Sequence, residues 1–135
     1  ALADKADFLS IGTNDLLQYF FAVDRDNARM AQRYDMLSGP ALRFLCDIAT
    51  GAQARSVPVT ICGEAAGRPL EALVMMLCGF RQLSMTAPHI GPVKRMIRSL
   101  ALSELQADFD QLKADNSPSV RDALLTLLGK HKAVL

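Results

Sequence analysis

The sequence of 135 residues has no long apolar stretch and no marked excess of charge of either sign. A membrane-spanning helix needs about 18 consecutive apolar residues, whereas the longest apolar stretch, at 70–80, contains Glu71. Lysine and arginine together number 15 and aspartate and glutamate 14, which gives a net charge of +1. This balance creates no overall field that would attract nucleic acid or an anionic membrane. We therefore expect neither as a partner.

The sequence also lacks a secretory signal and the cysteine spacings of a zinc site. Its first residues do not show the three parts of such a signal, which are a basic start, an apolar segment and a cleavage site of small residues. Cys46, Cys62 and Cys78 form no CxxC pair and no zinc-type spacing with histidine. An odd number of cysteines without a targeting signal fits reduced thiols, so we expect a cytoplasmic protein. Because the first residue is Ala1 rather than methionine, we also expect a segment of a longer chain.

What the sequence contains is a regular alternation of strand and helix patterns. Half of its residues are hydrophobic and 21% are charged, which is typical of a folded domain with a core. Short apolar runs at 6–11, 57–61 and 82–85 predict three buried strands. Helical patterns occupy 15–23, 40–55, 69–79, 93–100, 102–112 and 118–128. The alternation predicts an α/β fold with a parallel sheet.

Three helix ends carry capping signals. Ser38 precedes a Gly-Pro pair and predicts the start of the second helix, and Ser117-Pro118 predicts the start of the last one. Gly79 is placed to end the third helix. Three strands are too few to close a barrel, which typically has eight strands in about 250 residues. The chain is therefore either a small open α/β domain or part of a larger one.

Polar residues follow two of the predicted strands, and parallel pairing would bring them to one edge of the sheet. Asn14 and Asp15 come after the first strand and Cys62 after the second, while Arg25 lies farther along the chain. A carboxylate suits Mg²⁺, a guanidinium suits a phosphate or carboxylate, and a thiol can exchange a proton. These residue types point to a metal-assisted site for a small anion.

Each candidate also has a structural alternative. Thr13, Asn14 and Asp15 are good helix-capping residues, Arg25 could be a solvated loop residue, and Cys62 could be a small buried side chain. Cys46 and Cys78 lie within helical patterns, and we expect both in the core. Two further candidates, His89 in a loop and His131 in a basic tail, are expected to take no part in catalysis.

Two motifs carry a resemblance to a known family. The segment SIGTNDLLQYFFAVDRDN at 10–27 and the segment CGEAAG at 62–67 closely resemble motifs of Enzyme I of the phosphoenolpyruvate-dependent phosphotransferase system. LSM at 83–85 resembles the final barrel strand of that family, and IGPVKRMIRSL at 90–100 resembles the helix that follows it. The residues at 79–81 and 90–92 are most similar to those of the nitrogen-related branch of Enzyme I. The resemblance runs from about residue 6 to residue 100.

The resemblance implies the last three βα units of a phosphoenolpyruvate/pyruvate-type TIM (β/α)8 barrel within residues 1–100. Residues 101–135 would then form a C-terminal helical extension. The implied activity is that of a phosphoenolpyruvate–protein phosphotransferase, which passes phosphoryl to a histidine and on to a histidine phosphocarrier protein and releases pyruvate. The chain alone would be an inactive fragment. We expect a homodimer, because the open side of a three-stranded sheet needs cover.

The same resemblance assigns roles to residues in the two motifs. Asp15 is implied as a ligand of the cofactor Mg²⁺ and as a substrate contact. Asn14 and Arg25 are implied as contacts of phosphoenolpyruvate, and Cys62 as the acid that protonates the enolate carbon. Two rival interpretations stay open: a fragment of pyruvate phosphate dikinase or phosphoenolpyruvate synthase, and a non-catalytic regulatory or dimerisation module.

Overall fold

The computed structural model describes residues 2–23 and 35–132, and three short parallel strands form its sheet. The strands are β1 (Leu9–Gly12), β2 (Val59–Cys62) and β3 (Gln82–Ser84), paired in the order β1-β2-β3. Their carboxyl ends are in register, because Gly12 pairs with Cys62 and Cys62 with Ser84. The α/β alternation and the parallel sheet predicted from the sequence are confirmed.

Six α-helices join or follow the strands in the described part of the chain. They are α1 (Thr13–Phe21), α2 (Gly39–Gln53), α3 (Pro69–Leu77), α4 (Ala87–Arg98), α5 (Leu102–Ala114) and α6 (Arg121–Lys130). Short 3-10 turns occupy Ala3–Lys5 and Glu64–Gly67. Within residues 2–23 and 35–132, no helix combines the length and the apolar character that crossing a membrane requires.

The helices of residues 2–23 and 35–132 cover one face of the sheet and leave the other without helical cover from that part of the chain. Ile11, Ile61 and Leu83 lie side by side on the covered face and pack into the core. On the opposite face, the Thr60 hydroxyl lies 2.9 Å from the side-chain oxygen of Gln82, which is exposed. The prediction of fully buried strands is therefore wrong, because side chains alternate along a strand and the described helices pack on only one side.

The predicted helix ends are right in two cases and wrong in one. Gly79 follows α3 with φ +110°, and the N–H of Phe80 bonds back to the carbonyl of Met75 at 3.0 Å, a Schellman end that favours glycine. Ser38 does precede α2, but its buried hydroxyl finds no hydrogen-bond partner in the described structure. The last helix begins at 121 instead of near Ser117: the Ser117 hydroxyl donates to the Asp115 carboxylate at 2.8 Å, and the N–H of Arg121 donates to the Ser119 hydroxyl at 3.3 Å.

The two C-terminal helices pack into the same core as α2 and α3. Leu105 and Phe109 of α5 and Leu124 of α6 have less than 2% of their surface exposed. Arg43 of α2 closes the end of α5, since its guanidinium donates to the carbonyl of Lys113 at 2.8 Å. The helices after residue 100 thus share their hydrophobic contacts with the βα units.

A partly buried ion-pair cluster attaches the start of α6 to the segment before α2 and to α3. Arg121 donates to Glu71, at 2.8 Å, and to both carboxylate oxygens of Asp35, at 3.1 and 3.2 Å. Asp35 also accepts the Ser119 hydroxyl and the N–H of Leu37. Burial works to raise the pKa of Asp35, but the hydrogen bonds from Arg121, Ser119 and Leu37 outweigh it and hold this pKa below its ordinary value.

Acid should loosen this attachment. A carboxyl whose pKa is lower in the folded protein than in the unfolded chain contributes stability above its unfolded pKa, and that stability is lost as the pH falls. We therefore expect amide hydrogen exchange at Val120 and Leu124 to speed up, after correction for intrinsic rates, between about pH 5 and about pH 3. In Asp35→Asn, the same two amides should exchange faster than in the wild type at both pH values, and their exchange should lose this pH dependence. Asp110→Asn, which removes an exposed pair with Lys113, should leave these amides unchanged. Retention of the pH dependence in Asp35→Asn would contradict the assignment.

Candidate functional site

The candidate residues that the structure describes meet at the carboxyl ends of β1 and β2. Gly12 ends β1 opposite Cys62, which ends β2, so the segments that follow leave the sheet next to each other. Thr13, Asn14 and Asp15 form the first turn of α1, and Gly63 begins the turn after β2. The predicted meeting of the two polar strand ends at one edge of the sheet is confirmed.

Thr13 joins the two strand ends through its side chain. It is fully buried, and its hydroxyl donates to the main-chain carbonyl of Cys62 at 3.0 Å. The residue in the capping position of α1 is Gly12, which has no side chain to cap with. Helix capping therefore does not account for the polar residues at 13–15.

The Cys62 thiol is partly exposed at this edge and points back toward β1. Its sulfur lies 3.4 Å from the carbonyl oxygen of Ile11 and donates to it. This bond holds the sulfur at the carboxyl end of β2, next to the segment that continues into Thr13. The alternative of a small, fully buried side chain does not describe this residue.

Gly63 leaves room for the close approach of the two segments. Its φ of +117° is one that glycine adopts without strain. A β-carbon at this position would overlap the Thr13 hydroxyl and would lie 3.5 Å from the amide oxygen of Asn14. The missing side chain therefore brings Asn14 beside the turn that follows Cys62.

Asp15 presents an exposed carboxylate at the same edge. It makes no hydrogen bond or ion pair with the residues that the structure describes. No group of three or more His, Cys, Asp or Glu side chains in that part of the chain could hold a metal ion. Mg²⁺, however, is commonly bound through one or two carboxylates together with substrate phosphates. The free carboxylate of Asp15 and the nearby amide oxygen of Asn14 fit such a partial site.

Not every predicted residue belongs to this arrangement. Arg25 lies outside the described residues. Cys46 and Cys78 are buried between α2 and α3 with their sulfurs in contact, and their predicted place in the core is confirmed. The hydrogen bond with Cys46, together with burial, raises the pKa of Cys78, which keeps this thiol neutral.

The position of His89 differs from the predicted one. Predicted in a loop, it lies in the first turn of α4, where its Nδ1 is 2.7 Å from the Thr86 hydroxyl. Its ring packs against Gly67, where a β-carbon would come within 2.9 Å of it. The spacing of Thr86 and His89 by three residues was the local signal for this contact. His131 lies beyond α6, 3.7 Å from Glu104.

Comparisons with known proteins agree with this geometry. Residues 1–102 match the family model described as PEP-utilising enzyme, PEP-binding domain, where PEP is phosphoenolpyruvate. The chain is 41% identical over 105 residues to the phosphoenolpyruvate-dependent phosphotransferase system protein of Salmonella typhimurium, and 40% identical over 105 residues to the Escherichia coli protein of that name. It is also 41% identical over 121 residues to a multiphosphoryl transfer protein of Xanthomonas campestris. These matches cover 78%, 78% and 89% of the chain but only 14% of each relative. The chain belongs to the family of PEP-utilising enzymes, as part of their PEP-binding domain.

Proposed function

We propose that this chain forms the end of the phosphoenolpyruvate-binding barrel of a phosphoenolpyruvate–protein phosphotransferase. The observation that carries this proposal is the joining of the two strand ends by Thr13 and Cys62. Segment 13–15 and the Cys62 thiol thereby lie at one edge of a parallel sheet, where α/β enzymes bind their substrates.

The winding of the sheet supports a barrel as the complete structure. β1, β2 and β3 are neighbours in chain order, and the described helices cover only one of the two faces. Doubly wound sheets carry helices on both faces because their strand order reverses at a switch point, whereas a (β/α)8 barrel winds in one direction. In such a barrel, the exposed face with Thr60 and Gln82 would face the interior.

The residues at the edge suit the chemistry of phosphoenolpyruvate. Asn14 and the free N–H groups at the start of α1 would bind the anionic substrate, and Arg25 would hold a phosphate or carboxylate with its forked guanidinium. Transfer of the phosphoryl group to a histidine breaks the bond between phosphorus and the enol oxygen. The enolate that remains takes the proton of the Cys62 thiol at its methylene carbon and becomes pyruvate, and solvent restores the proton to sulfur.

Asp15 would hold Mg²⁺, which neutralises phosphate charge when it is bound. The acceptor histidine and the phosphocarrier protein would be provided by other domains and proteins. The relatives' names, which refer to a phosphotransferase system and to multiphosphoryl transfer, support this arrangement. We extend the proposal to a cytoplasmic protein, and we propose a homodimer for the 135-residue chain alone, whose sheet edges the rest of the barrel would otherwise cover.

The experiment is to incubate the complete gene product with phosphoenolpyruvate and Mg²⁺, with and without a nucleotide. Formation of pyruvate together with an acid-labile phosphohistidine, without nucleotide, is the expected result. A reaction that requires a nucleotide would favour the dikinase alternative. Neither product under either condition would favour a non-catalytic module. The names of the relatives favour the first outcome.

Asp15→Ala should raise the magnesium requirement of the complete enzyme. Loss of the carboxylate removes a ligand, so half-maximal activity should need at least about tenfold more Mg²⁺, since loss of a residue that only orients a ligand already weakens metal affinity by about 10- to 100-fold. The measurement is the initial rate of pyruvate formation as a function of Mg²⁺ concentration. Asp108→Ala, which removes an exposed carboxylate of α5, is the matched control. An unchanged magnesium profile in Asp15→Ala would remove Asp15 from the site.

A further inference from the structure

Thr13 is the residue whose side chain ties the two halves of the site together. Its hydroxyl reaches a carbonyl 49 residues away in the sequence, and the side chain is fully buried. The other buried polar side chains of the described residues are elsewhere: Glu71 binds Arg121, and Ser38 precedes α2. The Thr13 hydroxyl is thus committed to the main chain of Cys62.

A second hydrogen bond runs in the opposite direction between the same strand ends. The Cys62 thiol donates to the carbonyl of Ile11, two residues before Thr13. The main chain of Cys62 is therefore held by Thr13, and its side chain is held by Ile11. Together these bonds fix the thiol relative to segment 11–13, which continues directly into Asn14 and Asp15.

The turn after Cys62 depends on the same hydroxyl. Gly63 passes so close to Thr13 that a β-carbon would overlap the hydroxyl oxygen. This close approach lets the carbonyl of Cys62 point at Thr13 while the chain turns away from the sheet. If the hydroxyl were lost, the Cys62 carbonyl would lose a bond that holds the peptide between residues 62 and 63.

We infer that Thr13 is a positioning residue that holds the Cys62 thiol at the carbon to be protonated. This inference rests on the proposed function, in which Cys62 protonates the enolate. Proton transfer requires the donor near hydrogen-bond distance of its acceptor, and a displacement of about 1 Å can cost about 100-fold in rate. The substrate phosphate would lie against Asn14 and Asp15, which are held in the first turn of α1 by the helix itself, so phosphoryl transfer should be less sensitive than proton transfer to loss of the Thr13 hydroxyl.

The two halves of the reaction can be measured separately in the complete gene product. Enolate protonation is followed in reverse, as the exchange of pyruvate methyl protons with D₂O in the presence of Mg²⁺, by NMR. Phosphoryl transfer is followed as the initial rate of histidine phosphorylation from phosphoenolpyruvate in a single turnover. Both rates are normalised to the amount of enzyme that can be phosphorylated, which removes any loss caused by misfolding.

Thr13→Val keeps the shape of the side chain without the hydroxyl, and Thr13→Ser keeps the hydroxyl. We expect Thr13→Val to slow proton exchange by about 10- to 100-fold while phosphorylation changes by less than about threefold. Thr13→Ser should restore exchange to within about threefold of wild type, in line with retention of the bond. Thr13→Ala provides the same comparison if circular dichroism shows that the valine variant does not fold.

Three outcomes would overturn the inference alone, provided that the wild-type protein is phosphorylated. They are unchanged exchange in Thr13→Val, an equal loss in both rates, and a serine variant as slow as the valine variant. A wild-type protein that phosphoenolpyruvate does not phosphorylate would overturn the proposed function and this inference with it. The same set of measurements therefore separates the two failures.

Discussion

Cys62→Ala in the complete enzyme is expected to slow pyruvate formation by about 10²- to 10⁴-fold, the range for loss of a positioned general acid. The thiol is at the carboxyl end of β2, is only partly buried, and donates to the carbonyl of Ile11. Alanine removes the proton donor but leaves the turn at Gly63 and the hydroxyl of Thr13 in place. The measurement is the steady-state rate of pyruvate release, with histidine phosphorylation as the step that should be spared.

The other two cysteines provide matched controls. Cys46 and Cys78 lie in the core between α2 and α3, away from both strand ends. Replacing either by alanine removes one buried sulfur, so it should lower thermal stability and leave the rate per folded enzyme nearly unchanged. Equal pyruvate release by wild type and Cys62→Ala would remove Cys62 from the chemistry. A comparable loss in Cys46→Ala would contradict its purely structural role.

The order of strands and helices was predictable because the signals for it are local. Runs such as 57–61 are apolar and rich in β-branched residues, and glycine and proline mark the ends of elements. The meeting of Gly12 with Cys62 also followed from the sequence, since parallel neighbours align their carboxyl ends. In both cases the pattern lies within a few residues or depends on a general rule of topology.

The contacts of individual side chains were not predictable, since their partners are far away in the sequence. Thr13 has the signature of a helix cap, yet its hydroxyl goes to Cys62. Arg121 gives no local sign that it binds Asp35, 86 residues earlier. The exposed face of the sheet was missed for another reason. Strands of three or four residues are too short to display a clear alternation of apolar and polar positions.

The 135-residue chain expressed by itself is expected to associate with itself and to release no pyruvate from phosphoenolpyruvate. Among the residues that the structure describes, β1 and β3 each have a neighbouring strand on only one side, and unpaired strand edges favour pairing with other chains. Beside β3 lies a groove of about 590 Å³ whose apolar lining is formed by Met76, Leu83, Met85, Ile90, Val93 and Ile97. Burial of this lining by a second copy would stabilise a dimer.

The mass is measured by size-exclusion chromatography with light scattering over a range of protein concentrations. Ile90→Glu replaces an apolar contact of the groove by a charge and should shift the chain toward the monomer, because burying a carboxylate in an interface costs desolvation even beside Arg81 and Lys94, which also line the groove. Leu125→Glu is the matched control: both side chains are about 40% exposed, but Leu125 lies on α6 and does not line the groove. A wild-type chain that stays monomeric would contradict the argument from the open edge. Dissociation by both substitutions alike would show that the groove is not the interface.

The expected inactivity of the chain has a separate cause, because the acceptor histidine and the remaining barrel strands are proposed to lie elsewhere. Steady pyruvate release by the chain alone would therefore contradict the assignment of this segment to a larger enzyme.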